Sequence, residues 1–201
     1  MKSFFALLLL AALMAGCAKT VPTSLVTGQG MPPGQEYGKT AVLVWFAFDP
    51  KDAKGKRKVE KLREIIQARF AALPGMTVVD GDAVAKSLQP RTWRDVGDVE
   101  LLAAARAAGV DSVALVEVAS CAGDLGIGLT PLPTWSVVTR FSYRLRLLDV
   151  KSAILVRSAM RGQESGGMYA VRGLSDLLHD FDADLAAVLA APAPQASLET
   201  H

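Results

Sequence analysis

The chain has 201 residues, with 22 Lys or Arg against 20 Asp or Glu and a net charge of +2, a balance that excludes a globally basic nucleic-acid-binding protein. Hydrophobic residues make up 51% of it, so a compact, ordered fold is expected and extended disorder is excluded. Only two cysteines are present, Cys17 and Cys121.

The N-terminus carries one cation, Lys2, then the apolar block Phe4-Phe5-Ala6-Leu7-Leu8-Leu9-Leu10-Ala11-Ala12, and then Leu13-Met14-Ala15-Gly16-Cys17. A charged residue, a short apolar run and small residues before a cysteine form the layout of a lipoprotein signal, and the run is too short for a permanent membrane span. Residues 1–16 are therefore predicted to be a signal and Cys17 the lipid-bearing residue. Met14 departs from the leucine usual at that place, although Leu13 lies beside it. Acyl chains on Cys17 would anchor the protein without a transmembrane helix. Ala18 stands where an aspartate commonly retains lipoproteins in the inner membrane, so outer-membrane residence, on the periplasmic side, is expected.

Residues 17–38 hold Pro22, Gly28, Gly30, Pro32, Pro33 and Gly34 with little hydrophobic periodicity, and are expected to be a flexible tether several nanometres in reach. Thr40–Phe48 is a continuous apolar run, the pattern of a strand buried on both faces. Lys56–Leu73 repeats apolar residues at helical spacing until Pro74-Gly75 stops it. Met76–Val79 reads as a short strand, Asp82–Leu88 and Asp98–Ala108 as helices, and Ser112–Val118 as another buried strand. The order β-α-β-α-α-β predicts parallel strands with covering helices. Cys121–Pro133 reads as a Gly/Pro-rich loop. In Ser136–Val150, Phe141, Tyr143, Leu145 and Leu147 alternate with Arg140, Ser142, Arg144 and Arg146, which is a half-buried strand. Ile154–Met160 is its expected hairpin partner, with Arg157 and Arg161 at polar positions. Arg172–Ala190 is an amphipathic helix whose exposed face is expected to carry Asp176, Asp180, Asp182 and Asp184. Residues 39–190 thus form a single three-layer α/β domain, a mixed sheet of about five strands in the order β-α-β-α-α-β-β-β-α with helices on both faces. Residues 191–201 are expected to be a disordered tail.

The buried first strand, the phrase Ala105-Arg106-Ala107-Ala108-Gly109-Val110-Asp111-Ser112-Val113-Ala114-Leu115, and Leu145-Arg146-Leu147-Leu148-Asp149-Val150-Lys151-Ser152 resemble the curli-secretion-channel-like superfamily of periplasmic lipoproteins. That group includes activators of penicillin-binding proteins and a ring-forming exopolysaccharide-export lipoprotein. The resemblance spans residues 40 to 190 and implies a small three-layer α/β domain that works by assembly or by binding an enzyme. Its phrases contain no catalytic residue.

The residues able to carry chemistry point the same way. His179 has Ala183, not a second ligand, at i+4. Gly34–Thr40 is one residue short of a phosphate loop and precedes a strand instead of following one. Gly123–Gly128 lacks the helix start that a dinucleotide loop needs. Cys121 has no intramolecular partner and reads as a small buried side chain or as available for an intermolecular bridge. No catalytic residues, metal ligands or cofactor are predicted. Lys51, Lys54, Lys56, Arg57, Lys58 and Lys61 form a basic loop that reads as solvated or as meeting lipid headgroups or an acidic partner. The candidate interaction surface is Arg140, Arg144, Arg146, Arg157 and Arg161, which is complementary in sign to the acidic face of a neighbour's last helix. The expected function is that of a non-enzymatic, outer-membrane-anchored assembly or export component, or an activator of a cell-wall enzyme. Its expected partners are the membrane, an envelope protein and copies of itself in a ring, with no nucleic acid. A polysaccharide- or peptidoglycan-binding module using Trp135 and Trp93 is the alternative, and an envelope hydrolase stands behind both.

Overall fold

A computed structural model describes residues 21–27, 36–88, 95–128 and 134–190. The expected signal, Cys17, the rest of the tether, Trp93 and the tail from residue 191 lie outside the described residues.

The chain runs β1 (Val21–Thr27), β2 (Gly38–Phe46), α1 (Ala53–Ala71), β3 (Met76–Asp80), α2 (Asp82–Ser87), α3 (Asp98–Ala107), β4 (Ser112–Gly128), β5 (Thr134–Asp149), β6 (Ile154–Met168) and α4 (Leu174–Ala190). Six strands form one sheet in the order β1-β6-β5-β4-β2-β3. β2 is parallel to both β3 and β4, and the remaining neighbours are antiparallel. From β2 onward this is the expected mixed sheet and element order.

Each helix sits where its apolar stripe dictates. α1 buries Leu62, Ile66 and Phe70, and α4 buries Leu177, Phe181, Leu185, Val188 and Leu189, against one face of the sheet built from Val42, Ala114, Val116, Val118, Phe141, Tyr143, Leu145 and Leu147. α2 and α3 cover the other face, where Val84, Leu101, Leu102 and Ala105 meet Ala41, Leu43, Val113, Leu115 and Leu148. β2 and the first half of β4 are therefore buried from both sides, which is why their sequences read as unbroken apolar runs. At the α1 start, Asp52 caps the helix by accepting from the Gly55 N–H at 2.6 Å.

Three boundaries differ from the sequence expectation. Val21–Thr27, placed in the tether, is an edge strand with Val21 opposite Glu164 and Thr27 opposite Ser158; its pairing with β6 is non-local and leaves no periodic signature. β4 continues to Gly128 through the expected loop, because Gly123, Leu125 and Ile127 find partners in Thr139, Val137 and Trp135 of β5. β6 continues to Met168 for the same reason, with Met168 opposite Ser136. The result is a three-stranded ribbon that projects past the carboxyl end of β2, whose last pairing with β4 is Phe46 opposite Val118.

A register shift between Val118 and Ser120 inserts Ala119 into β4. Bulges re-aim the residues that follow, and here Cys121 joins Ala114, Val116 and Val118 on the face beneath α4. At the opposite end of the sheet, Gly38 has φ +59°, and a Cβ there would collide with the Asp111 carboxylate. That carboxylate accepts from the Lys39 N–H at 2.9 Å and pairs with Lys151 at 2.9 Å, which joins β2 to the turn after β5.

Leu145 is fully buried between the sheet and α4. Its replacement by Ala is expected to lower stability by about 2–5 kcal/mol, read as a lower urea midpoint at unchanged slope; a change below about 1 kcal/mol would mean the α4 layer is not packed as described.

Candidate functional site

The five arginines proposed as one surface divide between the two faces of the sheet. In the β4-β5-β6 register, Arg140 lies opposite Ala122 and Glu164, and Arg144 opposite Glu117 and Met160. Arg146 lies opposite Leu115 and Ser158, so these three share the face that carries α2 and α3. Arg157 lies opposite Leu147 and Arg161 opposite Tyr143, on the face that carries α1 and α4. The register shift at Leu147/Leu148 reassigns the parity of β6, and simple alternation along the sequence cannot reveal it.

Their surroundings differ accordingly. Arg157 is fully buried near Tyr37, and burial pulls its guanidinium below the usual value. Arg161 donates from Nε to both Asp184 oxygens, at 3.1 and 3.2 Å, and its Nη2 also pairs with Asp184. Tyr143 donates its hydroxyl to Asp184 Oδ2 at 2.8 Å. Burial, followed by the Asp184 charge, holds the Tyr143 phenol well above the usual range, so it stays a donor. Asp184 was expected on a solvated helix face; it is buried, because a carboxylate with an arginine fork and a phenol satisfying it can be enclosed. The same helix pairs Asp180 with Arg172 and Asp182 with Arg69 of α1. The guanidinium of Arg69 holds the Asp182 carboxyl below the usual carboxylate range. Three of the four aspartates thus hold the chain's own arginines, and Asp176 is exposed and accepts from the Gly173 N–H at 2.7 Å.

On the other face, Arg146 is anchored to Asp98 at 2.7 Å and to the Val96 carbonyl at 2.9 Å, fastening the start of α3 to the sheet. Arg140 reaches Asp124 at 2.6 Å across the ribbon. Arg144 is exposed. The helix layer of α2 and α3 packs on β2, β4 and the end of β5. The middle of β5 and β6 is left outside that layer, with Arg140, Arg144, Met160 and Glu164 exposed.

The second exposed region is the ribbon's end. Leu125 is 65% exposed, Ile127 67%, Trp135 42% and Met168 61%. Trp135 packs edge-on against Tyr169, with centroids 4.8 Å apart, and the Tyr169 N–H donates to the Trp135 carbonyl at 2.7 Å. Tyr169 has φ 60°, a conformation that costs a bulky residue energy and persists only where neighbours enforce it. Between the ribbon and the start of α4 lies a cavity of about 350 Å³, lined in part by Lys58, Cys121, Leu125, Val137, Arg172 and Leu177. Lys58 donates to the Cys121 carbonyl at 2.5 Å, which places the basic segment at the α1 start beside the root of the ribbon. Lys51, Lys54, Lys56 and Arg57 are exposed there.

Cys121 is buried, and burial pushes its thiol up to about 11, with Lys58 opposing. His179 is exposed. Among the described residues no group of three His, Cys, Asp or Glu side chains is placed to hold a metal ion, and no helix is long and apolar enough to cross a membrane.

No protein-family model matches the chain, and no curated protein matches it. Solved structures similar to it include the PelC dodecamer from Paraburkholderia phytofirmans, at 18% identity over 86% of this chain and 99% of that one, with a TM-score of 0.42. The lipoprotein GNA1162 from Neisseria meningitidis is similar at 15% identity over 74% and 98%, TM-score 0.37. The LpoB C-terminal domain from Escherichia coli is similar at 12% identity over 81% and 93%, TM-score 0.32. Lipoproteins are thus among the solved structures that this chain resembles. At these identities and TM-scores, neither membership of their families nor a shared function follows from the likeness.

Two outcomes check this geometry. Arg161→Met leaves the Asp184 carboxylate enclosed without its counter-ion and is expected to cost about 3–5 kcal/mol, with much of the loss recovered in Arg161→Met/Asp184→Leu; a single variant as stable as the parent in urea would refute the enclosed pair. Burial and a thiol raised to about 11 mean that an aromatic disulfide reagent should label Cys121 only on unfolding; rapid labelling of Cys121 in the native chain, located by peptide mapping so that Cys17 is told apart, would contradict its burial.

Proposed function

We propose that this chain is a lipid-anchored envelope protein that acts by protein contacts at the periplasmic face of the outer membrane, with no catalytic step of its own. The observation that supports it best is the stretch of sheet on β5 and β6 that the helix layer leaves exposed among the described residues. A face carrying Arg140, Arg144, Met160 and Glu164 outside the helix layer has the composition of a contact surface, where arginine and methionine are enriched. The lipid anchor at Cys17 and the outer-membrane address rest on Ala15-Gly16-Cys17-Ala18. Within this reading the domain is an assembly or export component or an activator of a cell-wall enzyme.

The structure alters which residues would make the contact. Asp180, Asp182 and Asp184 are engaged within the chain, so a ring built on arginine meeting the acidic side of a neighbour's α4 has lost most of its acidic partner. Arg157 and Arg161 belong to the interior of the domain. Arg144 is the strongest remaining candidate, with Arg140 and Arg146 already holding Asp124 and Asp98. The polysaccharide-binding alternative has its support at Trp135, a half-exposed ring set against Tyr169.

A photo-crosslinking side chain at position 144 of the membrane-bound chain should give a discrete adduct on irradiation of intact cells. A homomeric mass would mean self-association, and a heteromeric one a separate partner. No adduct at 144 or at 160 would sink the contact reading.

A further inference from the structure

β1 decides where the anchor emerges. It runs antiparallel to β6 with Val21 opposite Glu164, so its first residue faces the end of the sheet from which the ribbon projects. Only Ala18, Lys19 and Thr20 separate Cys17 from Val21, a link of at most about 14 Å when fully extended. Along β6, the four steps from Glu164 to Met168 advance by about 13 Å. Cys17 can therefore reach the level of the ribbon's tip and cannot lie far beyond it. A lipid on Cys17 would draw the bilayer surface to the tip.

The tip has the chemistry for that surface. Leu125, Ile127 and Trp135 share one face of the ribbon by register and Met168 lies on the other, and all four are exposed. The basic segment with Lys51, Lys54, Lys56 and Arg57 follows the carboxyl end of β2, which is the same end of the domain. Apolar and aromatic side chains flanked by lysine and arginine fit a boundary between acyl chains and anionic headgroups.

We propose that the ribbon tip is a membrane-docking element: Leu125, Ile127, Trp135 and Met168 enter the phospholipid leaflet that holds the Cys17 lipid. This rests on the lipid-anchor reading of Cys17. Insertion is shallow. Beyond Val118, β4 has no partner on the β2 side among the described residues, and open backbone groups of that kind are not tolerated in hydrocarbon, so side chains enter while the strands remain at the headgroups. Trp135 is suited to that depth because its ring is amphipathic. Docking at both anchor and tip would fix the domain's orientation, with the Arg144 face turned sideways along the membrane.

The test uses the full chain purified from bacterial membranes and reconstituted into phosphatidylethanolamine–phosphatidylglycerol vesicles with brominated acyl chains. Mass spectrometry of the Cys17 peptide is run on the same sample. Bromine should quench a part of the tryptophan emission that is lost in Trp135→Phe and reduced in Ile127→Ser, both retaining the parent circular dichroism. Equal quenching in parent and Trp135→Phe, with Cys17 lipidated, overturns the docking alone. An oligosaccharide-induced shift of Trp135 emission without lipid quenching overturns it too, and gives the ring to the polysaccharide reading. An unmodified Cys17 overturns the anchor reading and this inference with it.

Discussion

Pairing between β4 and β5 runs from Ser112 opposite Asp149 to Gly128 opposite Thr134 with a single bulge. That ladder passes through three environments. Its first part is covered by helices on both faces, its middle by α4 on one face, and its last part by neither. A continuous backbone ladder can hold strands together where side-chain burial has ceased, because hydrogen bonding along it satisfies the main chain irrespective of side chain. The domain can thus extend a rigid ribbon beyond its own core. The bulge at Ala119 sits at the transition, where β2 stops and Cys121 must be turned beneath α4.

The enclosed charges determine how α4 lies. Hydrophobic residues along the helix would pack against Phe141 and Tyr143 in more than one rotation, but Asp184 can meet Arg161 and the Tyr143 hydroxyl in only one. Arg69 and Arg172 add a grip from each side. Net charge near zero is in part a record of this internal matching: many of the arginines that looked available for partners are already committed. What remains on the surface is correspondingly sparse, and Arg144 stands out.

The helices and the parallel half of the sheet were legible because their burial is periodic: Leu62, Ile66 and Phe70 recur at helical spacing, and Val113 to Val116 are apolar without interruption. The phrases that resemble envelope lipoproteins, Ala105–Leu115 and Leu145–Ser152, are local and fall one in each half of the sheet. β1 and the outer parts of β4 and β6 were not legible. Gly123, Gly126 and Gly128 read as loop, and only the partner strand supplies the reason to extend. The division of the five arginines between the two faces was hidden for a related cause. Alternation assigns faces within one strand, but the shift beside Leu148 changes which residues of β6 stand opposite those of β5, so that Arg157 and Arg161 meet Leu147 and Tyr143 and not the arginines of β5. The burial of Asp184 was likewise hidden, since a carboxylate on a helix reads as solvated until its arginine is located.

β1 has a mechanical consequence as well. Its seven residues lie along β6, with Val21 toward the end of the sheet from which the ribbon projects. Tension applied to Val21 along the strand would load its hydrogen bonds together in shear, where a pull across the strand would open them one at a time. An edge strand of this length, weak against peeling, would pass such a pull into β6 as a load shared along its length.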